Sequence, residues 1–175
     1  MPMRLRPIFL LAAAMLLLAA GCSAPSLPFA RLAGLVMNRQ LDEISGLAAS
    51  HAHDDVLWAH NDSGNPARLY AISTRGRLLA RFDVEGAKNV DWEDISSFDT
   101  GGHHYLLLAD TGDNGGHRRD FVLYVFEEPT ELEDGILRPR WSIHARWPDG
   151  PRDCEAVAVD AVLGQILLIS KKRVP

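Results

Sequence analysis

The sequence predicts an all-β protein in the form of a partial β-propeller, two full four-stranded blades and half of a third behind a leader peptide, and three observations predict it. Beyond the leader, the apolar residues fall in short runs broken by Gly, Asp, Asn and Pro, and no stretch keeps a helical period. One acidic phrase then occurs three times: Glu43-Ile44-Ser45-Gly46-Leu47, Asp91-Trp92-Glu93-Asp94-Ile95 and Asp153-Cys154-Glu155-Ala156-Val157. Each phrase is followed by a second apolar run that closes on a small polar residue, at Asn61, Asp110 and Ser170. Finally, Glu43, Glu93 and Glu155 recur at intervals of 50 and 62 residues, near the length of one propeller blade. A β-sandwich also has short strands and frequent turns, but nothing in it restarts on an acidic residue and repeats its strand order.

Residues 1–21 read as a signal peptide. Arg4 and Arg6 make a positive start, Ile8 to Ala20 is apolar but short for a membrane span, and small residues follow. Leu18-Ala19-Ala20-Gly21-Cys22 resembles the lipobox of bacterial lipoproteins, which implies cleavage before Cys22, lipidation of that Cys and a membrane partner reached through the lipid. Ser23 lacks the Asp that retains such lipoproteins in an inner membrane, so the periplasmic face of an outer membrane is the expected location. Residues 22–40 are the tether, whose apolar part, Leu32 to Met37, is expected to add a strand to the domain edge. With Cys22 lipidated, Cys154 has no intramolecular partner, and it is expected to be a small buried residue.

The propeller domain spans 41–175. Its first blade comprises Ile44–Ala49, Val56–His60, Arg68–Ser73 and Leu78–Val84, joined by turn-forming stretches at 51–55, 62–66 and 74–77. In the second, Ile95–Phe98, Tyr105–Ala109 and Phe121–Phe126 precede a long acidic segment holding Pro129 and Pro139, then a fourth strand at Ser142–Trp147. The third supplies Ala156–Asp160 and Ile166–Ile169 around a turn at Gly164. Closed propellers have four to eight blades, so the expectation is either a truncated chain or a ring completed by other chains. Trp58, Trp92, Trp141 and Trp147 are expected to pack between blades.

The net charge of -5 and the lack of a basic run argue against nucleic acid as a partner; Lys171-Lys172-Arg173 is a solvated triplet. In an antiparallel blade the start of the first strand lies beside the end of the second, which brings Glu43 to Asn61, Glu93 to Asp110 and Glu155 to Ser170. All converge on one mouth of the ring. Such oxygen donors suit Ca2+ or Mg2+, and a cation or basic partners would relieve their repulsion. The competing role is structural: the same carboxylates can hold backbone amides of the next blade, and the loops at 62–65 and 110–114 are also ordinary Asx turn chemistry. His51 and His53 have a chelating alternation but no third ligand in sequence, so they are expected as exposed turn residues. His60, beside Asn61 and Asp62, is a candidate general base, and Arg118, with Arg119, a candidate partner for the acids or for a phosphate oxygen.

The phrases at 43–46, 58–64, 91–95 and 109–114 resemble those of bacterial envelope propeller proteins and, more distantly, the calcium-dependent propeller hydrolases, namely the paraoxonase and gluconolactonase group and the phytase-like propellers. In the paraoxonase group Glu and Asn or Asp hold a calcium near the axis, and the resemblance implies Glu43, Asn61, Glu93 and Asp110 as the matching ligands, with Glu155 from the third phrase. No nucleophile elbow, P-loop or dinucleotide fingerprint is present. The functional expectation is a membrane-anchored propeller that binds a small molecule or a protein, with a divalent cation at its mouth; the alternative is a calcium-dependent hydrolase of phosphoesters, esters or lactones.

Overall fold

Continuous apolar runs such as Tyr105-Leu106-Leu107-Leu108-Ala109 are too hydrophobic for a strand with one wet face, and the computed structural model shows why. Leu106 and Leu108 enter one core with residues of the preceding sheet, while Leu107 and Ala109 enter a second core with residues of the following one. A strand covered on both faces loses its polar alternation. The structure describes residues 31–171. The expected signal peptide, the expected lipidation site at Cys22, the tether up to residue 30, and Lys172 and Arg173 lie outside the described residues.

Among the described residues every regular element is a strand. In chain order these are β1 (Ile44–Ala49), β2 (Val56–Asn61), β3 (Arg68–Ser73), β4 (Leu78–Val84), β5 (Trp92–Thr100), β6 (His103–Asp110), β7 (Asp120–Glu127), β8 (Gly135–Leu137), β9 (Trp141–Arg146), β10 (Cys154–Asp160) and β11 (Gln165–Ser170). Three sheets result, ordered β1-β2-β3-β4-β8, β5-β6-β7-β9 and β10-β11. All pairings are antiparallel except that of β4 with β8.

The predicted runs match β1, β3 and β4 at both ends, and the turns between them are those whose residues invite them. Gly76, Gly101, Gly102 and Gly164 all take positive φ in hairpin turns, where a Cβ would be strained. Two expectations change. The long segment before β9 is not only a connection: its residues 135–137 cross to the outer edge of the first sheet and run parallel to β4, with Asp134 accepting the Arg81 amide at 2.8 Å. Three residues paired across fifty positions leave no local periodic signal. The apolar tether 32–37 forms no strand either; its backbone passes so close over the Arg75-Gly76 turn that a Cβ on Gly34 would overlap Arg75, and Leu35 and Met37 stay exposed.

Between the first two sheets lies the larger core, built on Trp58, Leu69, Ala71, Phe82, Trp92, Leu106, Leu108 and Phe126. Trp58 and Trp92 are fully buried, which supports their expected packing role, whereas Trp141 is exposed and rests against Tyr105. Trp147 stacks on Phe121 within the second sheet's own face. Cys154 is free and fully buried, and burial pushes its thiol pKa up. The leading strands β1, β5 and β10 lie side by side, joined by bonds from Ser45 Oγ to the Glu93 carbonyl at 3.0 Å and from the Val157 amide to Asp94 Oδ2 at 2.8 Å.

Candidate functional site: an acidic cluster at the heads of the leading strands

Each leading strand carries the same irregularity at the same place. Ile44 pairs with Asn61, Trp92 with Asp110 and Cys154 with Ser170, and in each case one residue is then skipped before pairing resumes. The skipped residues are Ser45, Glu93 and Glu155. A bulge leaves its extra residue out of the ladder and re-aims its side chain.

This register corrects the alignment read from sequence. Glu43 is equivalent not to Glu93 and Glu155 but to Asp91 and Asp153, two positions earlier, and the first sheet carries a serine where the other two carry glutamates. A similar backbone closure supports the correction: the carbonyls of Glu43, Asp91 and Asp153 accept from the amides of Asp62, Gly112 and Lys171 at 2.9, 3.1 and 2.8 Å, one or two residues beyond the end of the second strand.

The bulges bring five carboxylates together. Oxygen atoms of Asp62, Asp91 and Glu93 lie within 4.8 Å of one another, and so do those of Glu93, Asp153 and Glu155, so Glu93 belongs to both groups. Gly112 backs them; a Cβ there would overlap Glu93 Oε1 and Asp91 Oδ2. Glu93 is only 7% exposed, and the described residues offer it no donor nearer than the Ser45 hydroxyl at 3.5 Å. Burial raises its pKa to about 7, with the charges of Glu155, Asp91, Asp62 and Asp153 adding to the effect. Asp91 is raised as well, chiefly by burial, against a hydrogen bond from Ser63 that lowers it.

Basic partners serve only part of this cluster. Lys171 Nζ lies 2.6 Å from Glu155 and 3.3 Å from Asp153. Burial works to raise Asp153, but the Asp113 amide, at 2.9 Å, and Lys171 outweigh it and hold the pKa below the usual value. No ion pair reaches Asp62, Asp91 or Glu93 among the described residues.

The other residues singled out by sequence stand outside the cluster. Exposed Glu43 accepts from Asn65 Nδ2 at 2.7 Å. Asn61 spends its amide on the Gln40 carbonyl at 2.8 Å, and its buried Oδ1 has no partner among the described residues. Asp110 is buried beneath Arg118, 2.9 Å away, which also donates to the Gly112 carbonyl at 2.8 Å. Arg118 is therefore committed to fixing the loop 110–118, together with Asp113, whose carboxylate accepts the His117 and Arg118 amides at 2.8 Å. His60 is not part of the acidic cluster. It is fully buried edge-on to Trp92, its Nδ1 bonds the Asn61 carbonyl at 3.0 Å, and burial lowers its pKa, so it sits neutral in the core between the sheets.

Asp62, Asp91 and Asp153 are the members that sequence reasoning passed over. The signal was present: Asp91-x-Glu93 and Asp153-x-Glu155 repeat a spacing that sets both side chains on one face of a strand. The structural role expected of the glutamates falls to Asp94, which caps the Val157 amide of the next sheet. Neither a family model, nor a curated protein, nor a solved structure matches the chain.

Proposed function

We propose that the chain forms consecutive blades of an envelope β-propeller, anchored through a lipid on Cys22, which binds a ligand or protein at a mouth organised by a hard divalent cation. Two successive four-stranded antiparallel meanders, the first extended by β8, stacked face to face with their leading strands adjacent, are what support the propeller reading. The observation that carries the cation is Glu93, buried at the meeting point of two carboxylate groups without a strong donor. Carboxylate oxygens at this spacing fit Ca2+, which takes six to eight oxygen ligands; Asp62, Asp91 and Glu93 would hold it, with Asp153 and Glu155 on the far side. A bound cation would supply to Asp62, Asp91 and Glu93 the charge that Lys171 supplies to Asp153 and Glu155.

Binding is favoured over hydrolysis because the two groups proposed for chemistry are engaged elsewhere: His60 has no solvent-accessible surface, and Arg118 is tied to Asp110. The test is calorimetric titration of Ca2+ into the full chain, repeated with Glu93→Gln and accompanied by assays on ester, lactone and phosphoester substrates. Calcium binding that Glu93→Gln abolishes, without turnover, is the expected result. Undiminished binding in that variant would remove the site, and calcium-dependent turnover would restore the hydrolase reading. Cys22→Ser should abolish incorporation of labelled palmitate and release the chain from membranes.

A further inference from the structure

A second group of metal-ligating side chains lies at the other ends of the same strands, far along the ladder from the acidic cluster. His51 belongs to the turn between β1 and β2, Asp99 to the end of β5 and His104 to the start of β6. We propose that His51, Asp99 and His104 bind a divalent transition-metal ion of the zinc type. The two Nδ1 atoms lie 2.8 and 2.7 Å from the same oxygen, Asp99 Oδ1, and ligand atoms of all three residues fall within 4.8 Å of one another. Imidazole nitrogens with one carboxylate oxygen form the donor set that zinc accepts and that calcium does not prefer. In the metal-free chain both Nδ1 atoms donate to Asp99 Oδ1; an ion takes the place of those protons, the neutral rings keeping theirs on Nε2, and the exposed outer side leaves its remaining positions to water or to a partner's donor.

Besides their contacts with Asp99, the three residues are positioned by backbone. Asp99 and His104 are direct cross-strand partners in the β5–β6 ladder. The turn bearing His51 is pinned by Glu128, a buried carboxylate that accepts the His51 and Ala52 amides at 3.1 and 3.3 Å and the Trp58 indole N–H at 2.7 Å. Positions fixed in this way need only small side-chain rotations to close on an ion. The neighbouring histidines are committed elsewhere: His53 Nε2 meets the Pro129 carbonyl at 2.7 Å, and His103 pairs with Glu127 at 2.9 Å. The chelating pair is therefore His51 with His104, and not the adjacent His51 and His53.

The experiment uses the full chain in detergent, stripped of metal with a chelator and titrated with Co2+ as a visible-absorption probe, then with Zn2+ as competitor. One Co2+ with nitrogen-ligand absorption should bind and be displaced by Zn2+. His51→Ala and His104→Ala, both surface changes, should each weaken binding by at least about tenfold, while His53→Ala and His103→Ala leave it intact. Glu93→Gln should also leave it intact, which separates this site from the acidic cluster. Absence of the cobalt absorption, or its persistence in both His51→Ala and His104→Ala, would overturn the proposal and leave Asp99 with an ion pair only.

Discussion

Ser45 donates its hydroxyl proton to the Glu93 carbonyl at 3.0 Å, and these two residues occupy the same bulged position in successive sheets. The serine is small, neutral and a donor, so it lets a buried glutamate sit beside it. An acid there would extend the repulsion that already raises Glu93.

The pH dependence of stability follows from that shift. In the folded chain Glu93 titrates at about 7, above its ordinary value of 4.5, so between those values the folded state binds more protons than the unfolded one. Stability without divalent cations should therefore fall as pH rises through this window. The loss is at most about 3 kcal/mol. Glu93→Gln should be the more stable protein above pH 7 and lose its advantage below 4.5, as read by urea unfolding across pH. Calcium should erase the advantage by stabilising only the wild type.

Gly112 has a different sensitivity. A methyl group there would occupy the space of Glu93 Oε1 and Asp91 Oδ2, so Gly112→Ala should push the carboxylates apart. The expected cost is about 1–3 kcal/mol, together with loss of calcium stabilisation in a thermal melt. Gly101→Ala, at a turn with open space around it, should lose some stability to its positive φ yet keep the calcium response.

Glu128 gathers the Trp58 indole, the Ser50 hydroxyl and the His51 and Ala52 amides on one buried carboxylate. Glu128→Ala strands these donors and should cost about 3 kcal/mol or more. Glu128→Gln keeps an acceptor and should cost less. Both should loosen the turn carrying His51, seen as faster amide exchange at residues 51 and 52.

Gly46 faces the ring of His60, and a Cβ would overlap Nε2 and come within 2.9 Å of the Ile95 amide. Gly46→Ala should destabilise by about 1–3 kcal/mol through overpacking. Pairing it with His60→Ala should recover part of that loss, and a double-mutant cycle by chemical denaturation measures the coupling.

The sequence by itself determined most of the strands: β1, β3 and β4 at both ends, the others apart from β8 to within three residues of their starts, and the turns that join the hairpins. Those are local properties, carried by the spacing of apolar residues and by Gly, Asn and Asp in the turns. It also pointed to one end of the leading strands as the acidic end. Only the tertiary structure decided which acids meet there, because a single inserted residue turns a side chain to the other face of a strand and shifts the alignment of everything before it. Hence Glu93 and Glu155 joined Asp62, Asp91 and Asp153, while Glu43 went to Asn65 and Asp110 to Arg118. The strand β8 and the meeting of His51 with His104 were hidden for the same reason: each joins residues distant in sequence, and the packing of one sheet on the next is what brings them within reach.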